Sequence, residues 1–138
     1  MNISKKVILS LFSLLITANV NAKDISQNEL KLLMQGENKP LLIDVRTELE
    51  YAKGHLFGAI NISHTVLKQR LAELSGTKNH QVVLYCRSGK RAAVAEKILV
   101  TNGFTQVDHL IGDMIAWQKN GLPLVTLELR PKTSEFSH

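Results

Sequence analysis

Cys86 is the only cysteine among 138 residues, and the five residues after it are Arg87, Ser88, Gly89, Lys90 and Arg91. A thiol becomes a strong nucleophile when deprotonated, and cationic neighbours with converging backbone amides favour the thiolate. Gly89 allows the positive φ that a tight curl of backbone requires. A curl leading into a helix N-terminus aims several N–H groups at one centre, which attracts an anion. Each residue alone also has a plain reading: a cysteine filling space as a small hydrophobe, a turn glycine, solvated surface cations. Together, directly after an apolar run, they read as a nucleophile set in an anion-stabilising loop.

The elements that must position this loop follow from the apolar pattern. Residues 81–85 (QVVLY) make the clearest strand, a continuous apolar run of the kind buried in a parallel sheet. In open α/β sheets ligands bind outside the carboxyl ends of the strands, and the pattern places Cys86 there, out of the core. A helix is expected over residues 92–102 after a five-residue turn, with Ala95, Ile98 and Leu99 inward and Gly103 closing it. Upstream, Ser26 and Glu29 form a capping box for a helix that carries Leu30, Leu33 and Met34 and ends at Gly36. Residues 41–45 (LLIDV) form a strand that turns polar at Asp44, Thr47 caps a short helix through Tyr51 closed by Gly54, and residues 59–62 return as a short strand. Residues 65–74 place Val66, Leu67, Leu71 and Leu74 on one helical face, and residues 106–110 form another strand. Asp113 caps a last helix that carries Ile115 and Trp117 and stops at Gly121 and Pro123. Strands alternating with helices predict an α/β fold with a mostly parallel sheet and right-handed crossovers.

A composition of 44% apolar and 21% charged residues excludes disorder and collagen, and the length fits one domain. Residues 1–22 read as a secretory leader: Lys5 and Lys6, an apolar run over residues 7–16, then a polar stretch ending in small residues. The run reaches about half of the roughly 20 residues that a membrane span needs. The expectation is cleavage after Ala22, export to a periplasm-like or extracellular space, a domain over residues 23–125 and a polar tail over 126–138. Without Lys5 and Lys6 the net charge falls from +5 to +3, too weak to call for nucleic acid or a membrane surface as partner. A lone thiol in an oxidising compartment invites oxidation, so its presence there asks for a use. His64, His80, His109 and His138 show no metal-ligand spacing with one another or with Cys86, and no pattern calls for a cofactor.

The stretch from Cys86 to Arg91 resembles the active-site loop of rhodanese-type sulfurtransferases. Asp44-Val45-Arg46, Glu50-Tyr51, Gly54-His55-Leu56 and residues 58–62 (GAINI) are similar to the family's N-terminal signature, and Gly112, Trp117, Gly121 and Pro123 to its C-terminal one. The resemblance runs from Asp24 to about Leu124. It implies a rhodanese-like α/β fold, a five-stranded mostly parallel sheet with helices on both faces, and a ping-pong reaction. In that reaction Cys86 takes a sulfane sulfur from a small anionic donor such as thiosulfate, forms a persulfide, and passes the sulfur to cyanide or a thiol. Two alternatives stand beside this one: a persulfide carrier with little activity on small donors, and a phosphatase or arsenate reductase of related fold. Four residues separate Cys86 from Arg91. Cysteine-based phosphatases space this pair one position further apart, so the tighter loop suits a single added sulfur better than a phosphate. The oligomeric state leaves no mark in the sequence.

In this reading the amides of Arg87 to Arg91 hold the persulfide sulfur as oxyanion-hole donors hold an oxygen. Arg87 and Lys90 at the rim attract the donor, and Arg91 faces either the rim or the loop interior. Asp44 and Arg46 are candidate supporting residues. Asp44 either orients loop amides or a loop arginine, or merely forms a turn, and Arg46 pairs with Glu50 four residues on. His55 belongs to a turn rather than acting as a base, and Trp117 belongs to the core. One position departs from the family pattern: Gly112-Asp113 stands where two glycines are common, and Asp113 either puts a negative charge at the pocket rim or caps the last helix.

Overall fold

The computed structural model describes residues 21–127. Strands β1 (Asn21–Ile25), β2 (Leu41–Asp44), β3 (Ile60–Asn61), β4 (Gln81–Tyr85) and β5 (Gln106–Leu110) form one sheet in the order β1-β5-β4-β2-β3, with every pairing parallel. The α/β fold expected from the alternating pattern is the one observed. Strand β4 lies at the centre and is apolar on both faces. Val82 and Leu84 point to a layer built from Leu67, Leu74, Ala95, Leu99, Phe104 and Val107, whereas Val83 and Tyr85 point to Ile25, Leu30, Leu56, Met114 and Trp117. Fully burying one such side chain stabilises the fold by about 1.5–3 kcal/mol. Helices α1 (Gln27–Gln35) and α4 (Asp113–Lys119) cover one face, and α3 (Lys90–Thr101) with a 3₁₀ helix (Leu67–Thr77) covers the other.

The caps read from sequence are in place. Ser26 with Glu29 closes the start of α1, Thr47 with Glu50 closes the start of α2 (Glu48–Lys53), and Gly54 ends it. Other details differ. In place of the helix expected over residues 65–74, Leu67–Thr77 form a 3₁₀ helix whose last turn carries the poor α-helix formers Ser75, Gly76 and Thr77, and Val66 at its N-cap is 41% exposed while Leu67 and Leu74 are buried. Helix α3 starts at Lys90, two residues early, since Gly89 with φ +105° turns the chain and acts as its N-cap. Gly112, not Asp113, is the N-cap of α4, and a Cβ there would run into that of Ala116.

Strand β1 was not legible beforehand: it is an edge strand with Ala22, Lys23 and Asp24 exposed and only Ile25 inward, so it lacks an apolar signature. It begins inside the expected leader, of which residues 1–20 lie outside the described residues. At the other end, Val125 forms an antiparallel bridge with His55, and the Leu127 amide donates to the Ala52 carbonyl at 3.0 Å. The chain therefore stays attached two residues past 125, and residues 128–138 lie outside the described ones. Among the described residues no helix is long and apolar enough to cross a membrane.

Candidate active site

The loop over residues 86–89 joins the central strand β4 to the first turn of α3. Cys86 continues the Val82/Leu84 stripe, so its side chain points under the start of α3, and the residue is 1% exposed within that core layer. The expectation that Cys86 lies outside the core is thus corrected, and the reason is the strand's period of two carried one residue past its end. The sulfur is nevertheless addressed by the loop: the Gly89 amide donates to Cys86 Sγ at 3.0 Å. Gly89 achieves this in a left-handed conformation that disfavours other residues, and a Cβ on it would sit 3.1 Å from Asp113 Oδ2 and 3.2 Å from His109 Cε1. Among the amides of residues 87–91, this is the one that bonds Sγ. The Ala93 amide makes the first bond of α3, to the Gly89 carbonyl, so the earlier amides of the helix lack intrahelical acceptors.

The cations divide as charge and reach dictate. Arg87, Ser88 and Lys90 are exposed around the loop. Arg91 turns inward, which settles the alternative left open by the sequence. Its Nη1 and Nη2 donate to Glu50 Oε2 and Oε1 at 2.7 and 2.9 Å, a bidentate pair that ties α3 to α2. The hydrogen bond to Glu50 raises the Arg91 pKa above its ordinary value against a desolvation cost, and the nearby Cys86 sulfur adds to the rise. Reciprocally, the Arg91 guanidinium pulls the Glu50 carboxyl down to about 2. Glu50 also accepts from the Thr47 amide and hydroxyl, so the capping box of α2 aims this carboxylate.

Glu50 is therefore the partner of Arg91 and not, as the four-residue spacing suggested, of Arg46. Arg46 instead binds Asp44, with Nε 3.0 and 3.1 Å and Nη2 2.6 Å from its carboxylate oxygens, and the Arg46 amide adds a bond at 2.9 Å. Arg46 Nη2 also donates to the Gly54 carbonyl at 2.7 Å, and its guanidinium lies 5.8 Å from the Tyr85 ring centroid. Asp44, 0% exposed, orients neither a loop amide nor a loop arginine. The pair braces the turn after β2, where Asn61 Nδ2 bonds the carbonyls of both residues at 3.0 Å.

Asp113 is neither at the rim nor a cap. It is 2% exposed, its Oδ1 accepts from the Cys86 amide at 2.9 Å, and both of its oxygens lie 3.0 Å from His109 Nε2. Hydrogen bonding to Asp113 raises the His109 pKa; burial opposes this, and the charges of Asp113, Asp24 and Glu96 reinforce it. From the start of α4, the amides of Met114 and Ile115 donate to the carbonyls of Cys86 and Arg87 at 3.0 and 3.2 Å. The i, i+4 spacing of His109 and Asp113 was the one available signal for this pair. Nothing in sequence could join Glu50 to Arg91, 41 positions apart. His55 takes the turn role expected of it: its Nδ1 lies 2.8 Å from the Tyr51 carbonyl and its ring stacks on Tyr51 at 3.6 Å. Trp117 is 6% exposed in the core, with Nε1 donating to the Pro123 carbonyl. Among the described residues no three His, Cys, Asp or Glu side chains are placed to hold a metal ion.

A thiol at a strand end, an amide aimed at its sulfur and a clamped arginine beside it form a site built for an anion on sulfur. The model of the rhodanese-like domain matches residues 26–120. The chain belongs to the rhodanese-like family. It is 34% identical over 105 residues to a sulfurtransferase of Allochromatium vinosum, covering 76% of this chain and 96% of that one. It is 35% identical over 107 residues to a tRNA uridine(34) hydroxylase of Buchnera aphidicola, but spans only 33% of that longer protein. Among solved structures, the rhodanese with anions from Escherichia coli is 33% identical with a TM-score of 0.54, over 63% of this chain and 98% of that one. Its rhodanese-like relatives thus place the chain in a family of sulfurtransferases.

Proposed function

We propose that the protein transfers a sulfane sulfur from thiosulfate to a thiol or cyanide through a persulfide on Cys86. The Cys86 thiolate attacks the outer sulfur of thiosulfate, the S–S bond of the donor breaks, and sulfite leaves with the electron pair. Cys86 is left carrying one extra sulfur as an anion. An acceptor thiolate or cyanide then attacks that outer sulfur and returns Cys86 to its thiolate. Neither half-reaction needs an external oxidant, cofactor or metal, because the sulfane sulfur arrives already oxidised.

The observation that carries this reading is the Gly89 amide 3.0 Å from Cys86 Sγ, in a loop whose next donors are the unpaired first amides of α3. Arg87, Ser88 and Lys90 are the residues exposed to meet a doubly charged donor, and Arg91 keeps its positive charge beside the sulfur while fixed by Glu50. Asp44 and Arg46 support the domain rather than the sulfur. The leader reading adds a location: cleavage after Ala22 and a periplasmic or extracellular workplace, with the domain beginning at residue 23. Such a cut leaves Lys23–Ile25 of β1 in register with Asp108–Leu110 of β5. The N-terminus of protein recovered from the exported fraction, read by mass spectrometry, tests it, and an intact Met1 there overturns it.

For the chemistry, the Cys86→Ser variant is expected to lose sulfite release from thiosulfate entirely while keeping its circular dichroism spectrum. Turnover retained by that variant would refute the proposal. A persulfide carrier, by contrast, would accept sulfur from a protein donor while both forms remained inert toward thiosulfate.

A further inference from the structure

Resting on the sulfur-transfer reading, we propose that Asp113 is a positioning residue for Cys86, and that His109 sets the charge which Asp113 presents beneath the sulfur pocket. The contacts carry the argument. The Asp113 carboxylate fixes the Cys86 N–H through Oδ1, while the next two amides of α4 hold the carbonyls of Cys86 and Arg87. One helix turn therefore grips the thiol-bearing residue by both of its backbone polar groups. The backbone is bent to achieve this. Asp113 has φ +51° directly after Gly112 with φ +79°, and a non-glycine residue in that region costs of order 1 kcal/mol or more. A strained residue that buries its carboxylate under a loop persists when the surroundings require that carboxylate there.

The second half follows from charge. Gly89, whose amide bonds Sγ, packs on Asp113 Oδ2 and on the His109 ring. With His109 protonated, the Asp113–His109 pair beneath Gly89 is neutral. With His109 neutral, an uncompensated carboxylate sits under a pocket that must hold an anionic sulfur. The groups facing His109 are Asp24 on β1, its register partner, with Oδ1 3.8 Å from Nδ1; Asp113 on α4; and Glu96 on α3. Every charged group in that set is acidic, so the imidazole stays protonated beyond its ordinary range. Sulfur transfer exchanges the Cys86 thiolate for a persulfide anion, so the charge at the sulfur is conserved, and a protonated His109 offsets the Asp113 carboxylate beneath it in both states.

The test is an NMR titration of the His109 ring in the whole folded wild type and in Asp113→Asn, with sulfur uptake from thiosulfate read by mass in the same samples. The expected midpoint lies above that of an ordinary histidine and falls in Asp113→Asn. Kinetics separate positioning from charge. Asp113→Gly relaxes the backbone but removes the acceptor of the Cys86 amide, and is expected to lose about tenfold in kcat/KM. Asp113→Asn keeps an acceptor oxygen and tolerates positive φ, so it should restore most of that loss while abolishing the decline in activity as His109 deprotonates. A His109 midpoint left unmoved by Asp113→Asn, or wild-type kinetics in Asp113→Gly, overturns this proposal. Absence of uptake at every pH overturns the sulfur-transfer reading instead, and the positioning role with it.

Discussion

Asp44 closes β2 and Asp113 follows β5, the two strands that flank β4 in the sheet. Both carboxylates are buried at strand ends, 0% and 2% exposed, yet only Asp113 touches the cysteine loop. The difference lies in what each chain segment offers locally. Asp44 has Arg46 two residues on, whose guanidinium and amide occupy both carboxylate oxygens. Asp113 meets only an imidazole and retains an oxygen for the Cys86 amide. A buried carboxylate at a strand end thus joins a neighbouring site when its partner has too few donors to occupy both oxygens.

That contrast can be broken experimentally. The largest effect is expected for Asp44→Ala, which strands the buried Arg46 guanidinium. Losing one partner of a buried pair costs about 3–5 kcal/mol, measurable by urea unfolding, while sulfur uptake by the folded fraction stays at the wild-type level. If the folded fraction lost uptake in proportion, Asp44 would belong to the site after all. Asp113→Gly should show the reverse pattern. It leaves the Cys86 amide without its acceptor at about 1–3 kcal/mol, part of which the relaxed backbone offsets, and it loses activity rather than fold.

Glu50→Gln should give the smallest change, since the Glu50–Arg91 pair is 25–32% exposed at its side chains and such pairs contribute about 1 kcal/mol or less. Its pH signature is clearer. The Glu50 pKa is depressed from 4.5 to about 2 in the folded protein, so its contribution is present above 4.5 and is lost as pH falls through that window. Acid unfolding of wild type and Glu50→Gln should therefore converge near the lower limit and separate above the upper one. Curves parallel throughout would show that the ion pair contributes nothing.

The fold was largely legible because its signals are local. The capping boxes at Ser26 and Thr47, the apolar runs of β2 and β4, and the glycine before α3 each follow from residues a few positions apart. The loop from Cys86 to Arg91 was legible for the same reason. The supports were not, because Glu50 with Arg91 and Cys86 with Asp113 are brought together only by the order of strands in the sheet. Local spacing even misled where it offered a nearer partner, pairing Arg46 with Glu50 when Asp44 lay closer still. Cys86 was placed outside the core because strand ends are usually open, whereas here the first turn of α3 closes over it.

The central claim is that the single thiol of this chain carries transferable sulfur. The most direct measurement is the intact mass of the protein after thiosulfate and again after cyanide, with Cys86→Ser alongside. A gain of one sulfur atom that cyanide removes, absent from the variant, is the predicted result. No gain in the wild type, or the same gain in Cys86→Ser, contradicts it.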